Sequence, residues 1–145
     1  MRIMIVDGQG GGVGRSLVEE LSRKYPTTEI IAVGTNATAT TNMMKGGTNL
    51  GATGENAVVY NSSRVDVIVG PIGIVMANAM LGEITPKMAE AVASSEARLL
   101  LIPMNRCETV VVGVENRKLA DYIAEAIKLI GQMQMERDRK EIWKC

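Results

Sequence analysis

"VDGQGGGVGRS", Val6 to Ser16, sets five glycines within seven residues between an apolar run and an amphipathic one. A turn needs one or two glycines, whereas a loop whose main-chain N–H groups close on an anion needs several, because each Cβ would hold the ligand away. Upstream, Arg2 to Val6 reads as a short strand. Downstream, Val13, Leu17, Val18 and Leu21 recur at helical spacing, with Arg15/Glu19, Glu19/Arg23 and Glu20/Lys24 as charge pairs four apart. The stretch is therefore strand, glycine loop and helix, with the partial positive charge of the helix N-terminus aimed at the loop. It nominates Asp7, Gly8, Gln9, Gly10, Gly11, Gly12 and Gly14 as a phosphate site, with Arg15 as its clamp. Each has a plainer explanation: glycines that let the helix pack close to the sheet, an Asp7 that ties down the turn through N–H groups, and an Arg15 paired with Glu19.

Outward from this loop the chain alternates strand and helix. Tyr25-Pro26 stops the first helix, and Glu29 to Val33 is a second strand closed by Gly34. A threonine-rich helix over Ala37 to Lys45 follows, with Asn36 as its cap. In "GTNLGATGENAVVYNSSR", Gly47 to Arg64, β-propensity makes Ala57 to Tyr60 a strand, while chain order makes Asn49 to Thr53 the strand and Glu55 to Arg64 a helix. The balance leans slightly to the helix. Val65 to Val69 is a buried strand, Gly70 to Gly73 breaks it, and Ile74 to Leu81 reads as an apolar helix ended by Gly82. Thr85-Pro86 opens another helix; Arg98 to Ile102 and Thr109 to Val114 read as strands. A long last helix runs from about Arg117 to at least Met133.

Such alternation specifies an α/β fold: a doubly wound, mostly parallel sheet with helices on both faces, a Rossmann-like three-layer architecture. The expected organisation is a single domain over residues 1–135, with 136–145 as an extension of the last helix or a frayed tail. In these sheets ligands lie beyond the carboxyl ends of the strands, which adds Thr35 and Asn36, Thr53, Glu55 and Asn56, Gly70, Pro71 and Gly73, and Asn105 and Arg106 to the candidate site.

Composition narrows the partners. Lys plus Arg and Asp plus Glu are both 16, so no basic field draws in nucleic acid or an anionic membrane. The apolar runs fall short of a bilayer span, and the expected compartment is the cytoplasm. Histidine is absent, which removes Ser-His and Cys-His nucleophiles and His-ligated zinc, and Cys107 and Cys145 have no metal-ligand spacing. Met133, Met135 and Trp143 on the final helix suggest a homodimer through it.

Gly8, Gly12 and Gly14 fit G-x-x-x-G-x-G, which resembles the cofactor fingerprint of short-chain dehydrogenases. Two features oppose NAD(P). The end of the second strand reads Gly34-Thr35-Asn36, with no acidic ribose clamp, and the Tyr-x-x-x-Lys of those enzymes has its sole echo in Tyr60 to Arg64, where arginine cannot act as the lysine does. "DGQGGGVG", "GATGEN" and "VDVIVGPIGIVMANAMLGEITPKMAEAVASSEARLLLIPMNRCET" together resemble a small bacterial family known as a domain of unknown function, over nearly the whole chain. The segment around Gly70-Pro71 and Asn105 is also similar to the phospholactate transferase and gluconeogenesis-factor family, whose members bind nucleotide diphosphates. That likeness places Gly70, Pro71 and Asn105 at a ligand.

The expected function is binding of a phosphate-bearing ligand: a nucleotide, dinucleotide or nucleotide sugar. The alternatives are an NAD(P)-dependent oxidoreductase or nucleotide-dependent group transferase on the same site, and an assembly protein whose glycines are structural. The cofactor stays unassigned, with a nucleotide or NAD(P) as candidates.

Overall fold

The computed structural model describes residues 1–104 and 109–142. Five strands, β1 (Arg2–Asp7), β2 (Glu29–Gly34), β3 (Leu50–Thr53), β4 (Val67–Pro71) and β5 (Arg98–Ile102), form one sheet in the order β3-β2-β1-β4-β5. Every pairing is parallel. Among the described residues, five helices cover it: α1 (Gly12–Lys24), α2 (Ala37–Met44), α3 (Glu55–Ser62), α4 (Pro86–Ala93) and α5 (Leu119–Ile142).

The central strand explains the layering. Ile3 to Asp7 are all buried, so β1 contacts a layer on each face. Ile3 and Ile5 join Leu17, Val18 and Leu21 of α1, Met43 of α2 and Ile123, Ile127 and Ile130 of α5 in one core; Met4 and Val6 join Val58 of α3 and Met88 and Val92 of α4 in the other. The strand order reverses between β1 and β4. The sheet is doubly wound, and its switch point lies between those two strands.

Local chemistry sets the ends. Asn36 caps α2 by accepting the Ala39 N–H at 2.8 Å, and Thr85 caps α4 through Met88 N at 3.1 Å, with Pro86 in its first turn. Gly54, at φ +99°, precedes α3, and Glu55 sits in the first turn where a carboxylate suits the helix dipole. Ala57 to Tyr60 is thus helical, and Val58 is its core contact. Tyr60 and Arg64 stack on one another at 3.8 Å.

Two expectations change. Ile74 to Leu81 is not a helix: a short 3-10 turn over Ile72–Val75 gives way to a loop in which Asn78, Met80 and Leu81 have φ of 67°, 58° and 56°. Bonds from Asn78 N to Ile84 O at 2.7 Å and from Gly82 N to Asn78 O at 3.1 Å close this loop on itself. Thr109 to Val114 is not a strand of the sheet either. Gly113, at φ +86°, turns the chain, and Val114 N donates to Val111 O at 3.3 Å, which interrupts the valine run.

Among the described residues, no helix is long and apolar enough to cross a membrane.

Candidate functional site

The carboxyl ends of β1 and β4 open into a cavity of about 850 Å³. One wall is the glycine loop, Asp7 to Val13; the other is Pro71, Gly73 and the loop Met76 to Leu81, with Met104 and Leu119 completing it.

The five glycines divide into two kinds. A Cβ on Gly8 would stand 2.7 Å from Met80 Sδ and Thr35 Oγ1; one on Gly11 would meet Ala39 O at 2.7 Å, at a φ of +70°; one on Gly14 would run into Met43. These three are glycine for packing and backbone reasons. Gly10 and Gly12 have open space where a Cβ would stand.

Asp7 holds the turn from inside. Buried to 5 % exposure, its carboxylate accepts Gly8 N–H on Oδ1 and Gly14 N–H on Oδ2, both at 2.8 Å. Gly11 N donates to Gly8 O at 2.9 Å. Among the described residues, the N–H groups of Gly10, Gly12 and Val13 meet no protein acceptor, and all three residues line the cavity. They stand at the start of a 13-residue helix.

Glu83 is the residue that sequence reasoning missed. Its Oε1 accepts Asn36 Nδ2 at 2.6 Å, Thr35 Oγ1 at 2.8 Å and Gln9 N at 3.1 Å, so one carboxylate from the loop after β4 ties together the β2–α2 turn and the glycine loop. Partial burial pushes the Glu83 carboxyl up, but the hydrogen bonds from Asn36, Thr35 and Gln9 outweigh it and leave the group below its ordinary value. It is ionised at neutral pH. The contact also holds Gln9 at φ 50°, an unfavourable angle for a residue with a side chain.

The remaining candidates fall into three groups. Pro71 and Gly73 line the cavity, whereas Gly70 lies one residue deeper, where its missing Cβ makes room for the Val6 carbonyl. Arg15 does not point at the loop: its guanidinium donates to Glu19 and to Asn42 Oδ1, each at 2.9 Å, and Asn42 in turn donates to Gly10 O at 2.9 Å. Thr53 bonds Thr40 at 2.7 Å beside Gly34, and Thr53, Glu55 and Asn56 share the carboxyl edge without lining the cavity. Asn105, Arg106 and Cys107, like Trp143 and Cys145, lie outside the described residues.

Fold and site together define an open, doubly wound α/β protein with its cavity at the switch point. The chain belongs to the family described as Domain of unknown function (DUF3842), whose profile matches residues 2–135. No curated protein matches the sequence. Among solved structures it is similar to the dodecameric FMN-dependent Ubix-like decarboxylase from Escherichia coli O157:H7, with 17% identity over 90% of this chain and 76% of that one and a TM-score of 0.48. The likeness to the phospholactate transferase and gluconeogenesis-factor family finds no support in these matches.

Proposed function

We propose that this protein binds a small phosphate-bearing ligand in the switch-point cavity, with the phosphate on the N–H groups of Gly10, Gly12 and Val13. The supporting observation is the coincidence, at one place, of amides without an acceptor among the described residues, open space at Gly10 and Gly12, and the N-terminus of α1. Close packing accounts for Gly8, Gly11 and Gly14 but leaves these two without a structural reason. The opposite wall, with Met76, Met80 and Met104, suits an apolar body such as a base, since methionine adapts to flat or irregular ligands.

Binding is favoured over catalysis by the chain's own side chains. Among the described residues of the wall, the one ionisable group is Asp7, whose two oxygens each accept an N–H, and there is no hydroxyl, amine or thiol side chain. The carboxylate missing from the end of β2 stands there after all, supplied by Glu83, and its Oε2, with one contact at 3.2 Å to Gln9 N, retains capacity to accept a ribose hydroxyl.

The test is a thermal-shift panel of inorganic phosphate, mononucleotides, dinucleotides and nucleotide sugars. A ligand at a hundred times its dissociation constant adds about 2.7 kcal/mol, a clear rise in melting temperature. Gly12→Val should stay folded and lose most of that shift by filling the open space. No response from any member, or an undiminished response in Gly12→Val, would overturn the reading.

A further inference from the structure

We propose that the ligand straddles the glycine loop, its phosphate joining an apolar body in the switch-point cavity to a sugar on the β2 side whose hydroxyl donates to Glu83. The class this defines is a dinucleotide or nucleotide sugar, and it rests on the phosphate position proposed for Gly10, Gly12 and Val13. Gly10 lines two cavities. On the β4 side is the one of about 850 Å³ whose wall carries Met76, Met80 and Met104; on the other, between the loop and α2, is one of about 500 Å³ where Thr38, Thr41 and Lys45 supply hydroxyls and an ammonium group. Open space stands where a Cβ on Gly10 would be, and its N–H meets no acceptor among the described residues. A phosphate on that amide therefore has an apolar cavity on one side and a polar one on the other. A mononucleotide, with a single body beyond its phosphate, fills one of them.

Asn36 ties that amide to Glu83. Its Nδ2 donates to Glu83 Oε1 at 2.6 Å and to Gln9 O at 2.9 Å, and Gln9 O belongs to the peptide whose nitrogen is that of Gly10. The carboxylate and the phosphate position are thus neighbours across one side-chain amide, and Glu83 lies on the side of the turn into α2. Oε1 is engaged by Asn36, Thr35 and Gln9, whereas Oε2 has Gln9 N alone, at 3.2 Å, among the described residues. An ionised carboxylate accepts and cannot donate, so what meets Oε2 is a donor group. A sugar hydroxyl supplies one. A second phosphate at that place would be an acceptor facing a like charge, because the donors that hold Glu83 are all neutral and no lysine or arginine among the described residues pairs with it. Lys45 stands at the far end of α2 from Asn36.

The experiment is titration calorimetry of the full chain with inorganic phosphate, with AMP, GMP and UMP, and with the larger ligands built on them: NAD, FAD, GDP-mannose and UDP-glucose. The expected result is that at least one larger ligand binds about tenfold or more tightly than the mononucleotide it contains. Glu83→Gln should abolish that ratio, and so should Thr38→Trp, which fills the α2 cavity from an exposed position. A Glu83 that merely braces the loop would weaken both members of a pair alike and leave their ratio standing, so a ratio that survives either substitution overturns the proposal. A mononucleotide or phosphate that binds as tightly as every larger ligand, and loses that affinity in Gly12→Val, also overturns it while leaving the phosphate site in place. Absence of binding by every member, inorganic phosphate included, overturns the phosphate reading and this one with it.

Discussion

β1 and β4 end side by side at one edge of the sheet, and the chain leaves them in different ways. After β1 it makes a glycine turn and enters α1 at once, secured by a carboxylate one and seven residues from its partners: Asp7 accepts the N–H groups of Gly8 and Gly14. After β4 it makes a 3-10 turn and a loop with three left-handed side-chain-bearing residues, and its anchor is Glu83, whose partners Gln9, Thr35 and Asn36 lie 74, 48 and 47 residues away. A local tether can be read from sequence because its spacing is short. A distant one cannot. The two also differ in cost: Asp7 satisfies buried groups, whereas the β4 loop spends side-chain hydrogen bonds on a backbone that three residues resist.

If that contrast is right, the local tether carries the larger share of stability. Asp7→Ala leaves two buried N–H groups without acceptors, at about 1–3 kcal/mol each, so urea unfolding should show a loss of about 2–6 kcal/mol. A loss under 1 kcal/mol would remove Asp7 as the anchor.

Within the glycine loop the contrast sharpens to neighbouring residues. Gly11→Ala forces a Cβ into a left-handed backbone and against Ala39 O, and should cost about 2–4 kcal/mol. Gly12→Ala meets open space at the start of α1 and should stay within about 1 kcal/mol of the parent. Ligand affinity should divide the other way, since Gly12→Ala keeps the fold and still crowds the proposed phosphate position. Equal stability of the two variants would show that the glycines are not of two kinds.

Glu83 makes the difference testable by pH. Its folded-state value is lowered, so its stabilisation is fully present above the unfolded value of about 4.3 and is lost as pH falls through the lower folded one. Glu83→Gln should cost about 1 kcal/mol at neutral pH and flatten that part of the acid-side stability curve. An unaltered curve would mean that the β4 loop is held by its own backbone bonds alone.

The same contrast explains what could be read in advance. The α1 stripe, the α2 and α4 caps and the parallel alternation all rest on spacings within one or two turns, and they stand as read. Residues 76–81 misled because Met76, Ala77, Ala79, Met80 and Leu81 have a helical composition, while the competing left-handed turn is stabilised by Asn78 N to Ile84 O and by the remote Glu83 contacts. Val110 to Val112 misled in the opposite sense. Its β-propensity is high, yet Gly113 at φ +86° and the Val114 N to Val111 O bond turn the chain instead of extending it. A short motif puts an acidic ribose clamp at the end of β2 itself, where the sequence reads Gly34-Thr35-Asn36; the carboxylate bonded to Thr35 and Asn36 comes from residue 83.

The smallest expected effect tests the earlier assignment of a phosphate clamp. Arg15 and Glu19 are 41% and 48% exposed at the side chain, so their ion pair contributes about 0.5 kcal/mol or less, and Arg15→Ala should barely move the unfolding midpoint. Its influence on the loop passes through Asn42, which holds the Gly10 carbonyl, and carbonyl orientation is also constrained by Asp7 and by the Gly11 N–H to Gly8 O bond. Titration of whichever ligand raises the melting temperature should therefore give an Arg15→Ala affinity within a fewfold of the parent, with the same salt dependence. A guanidinium that swung onto the phosphate would show itself differently. Affinity would fall tenfold or more, about 1.4 kcal/mol, and the loss would shrink as salt screened the charge. That outcome would mean that the loop after β1 also draws on a side chain that must change partners to bind, and the division between a locally set loop and a remotely anchored one would no longer hold.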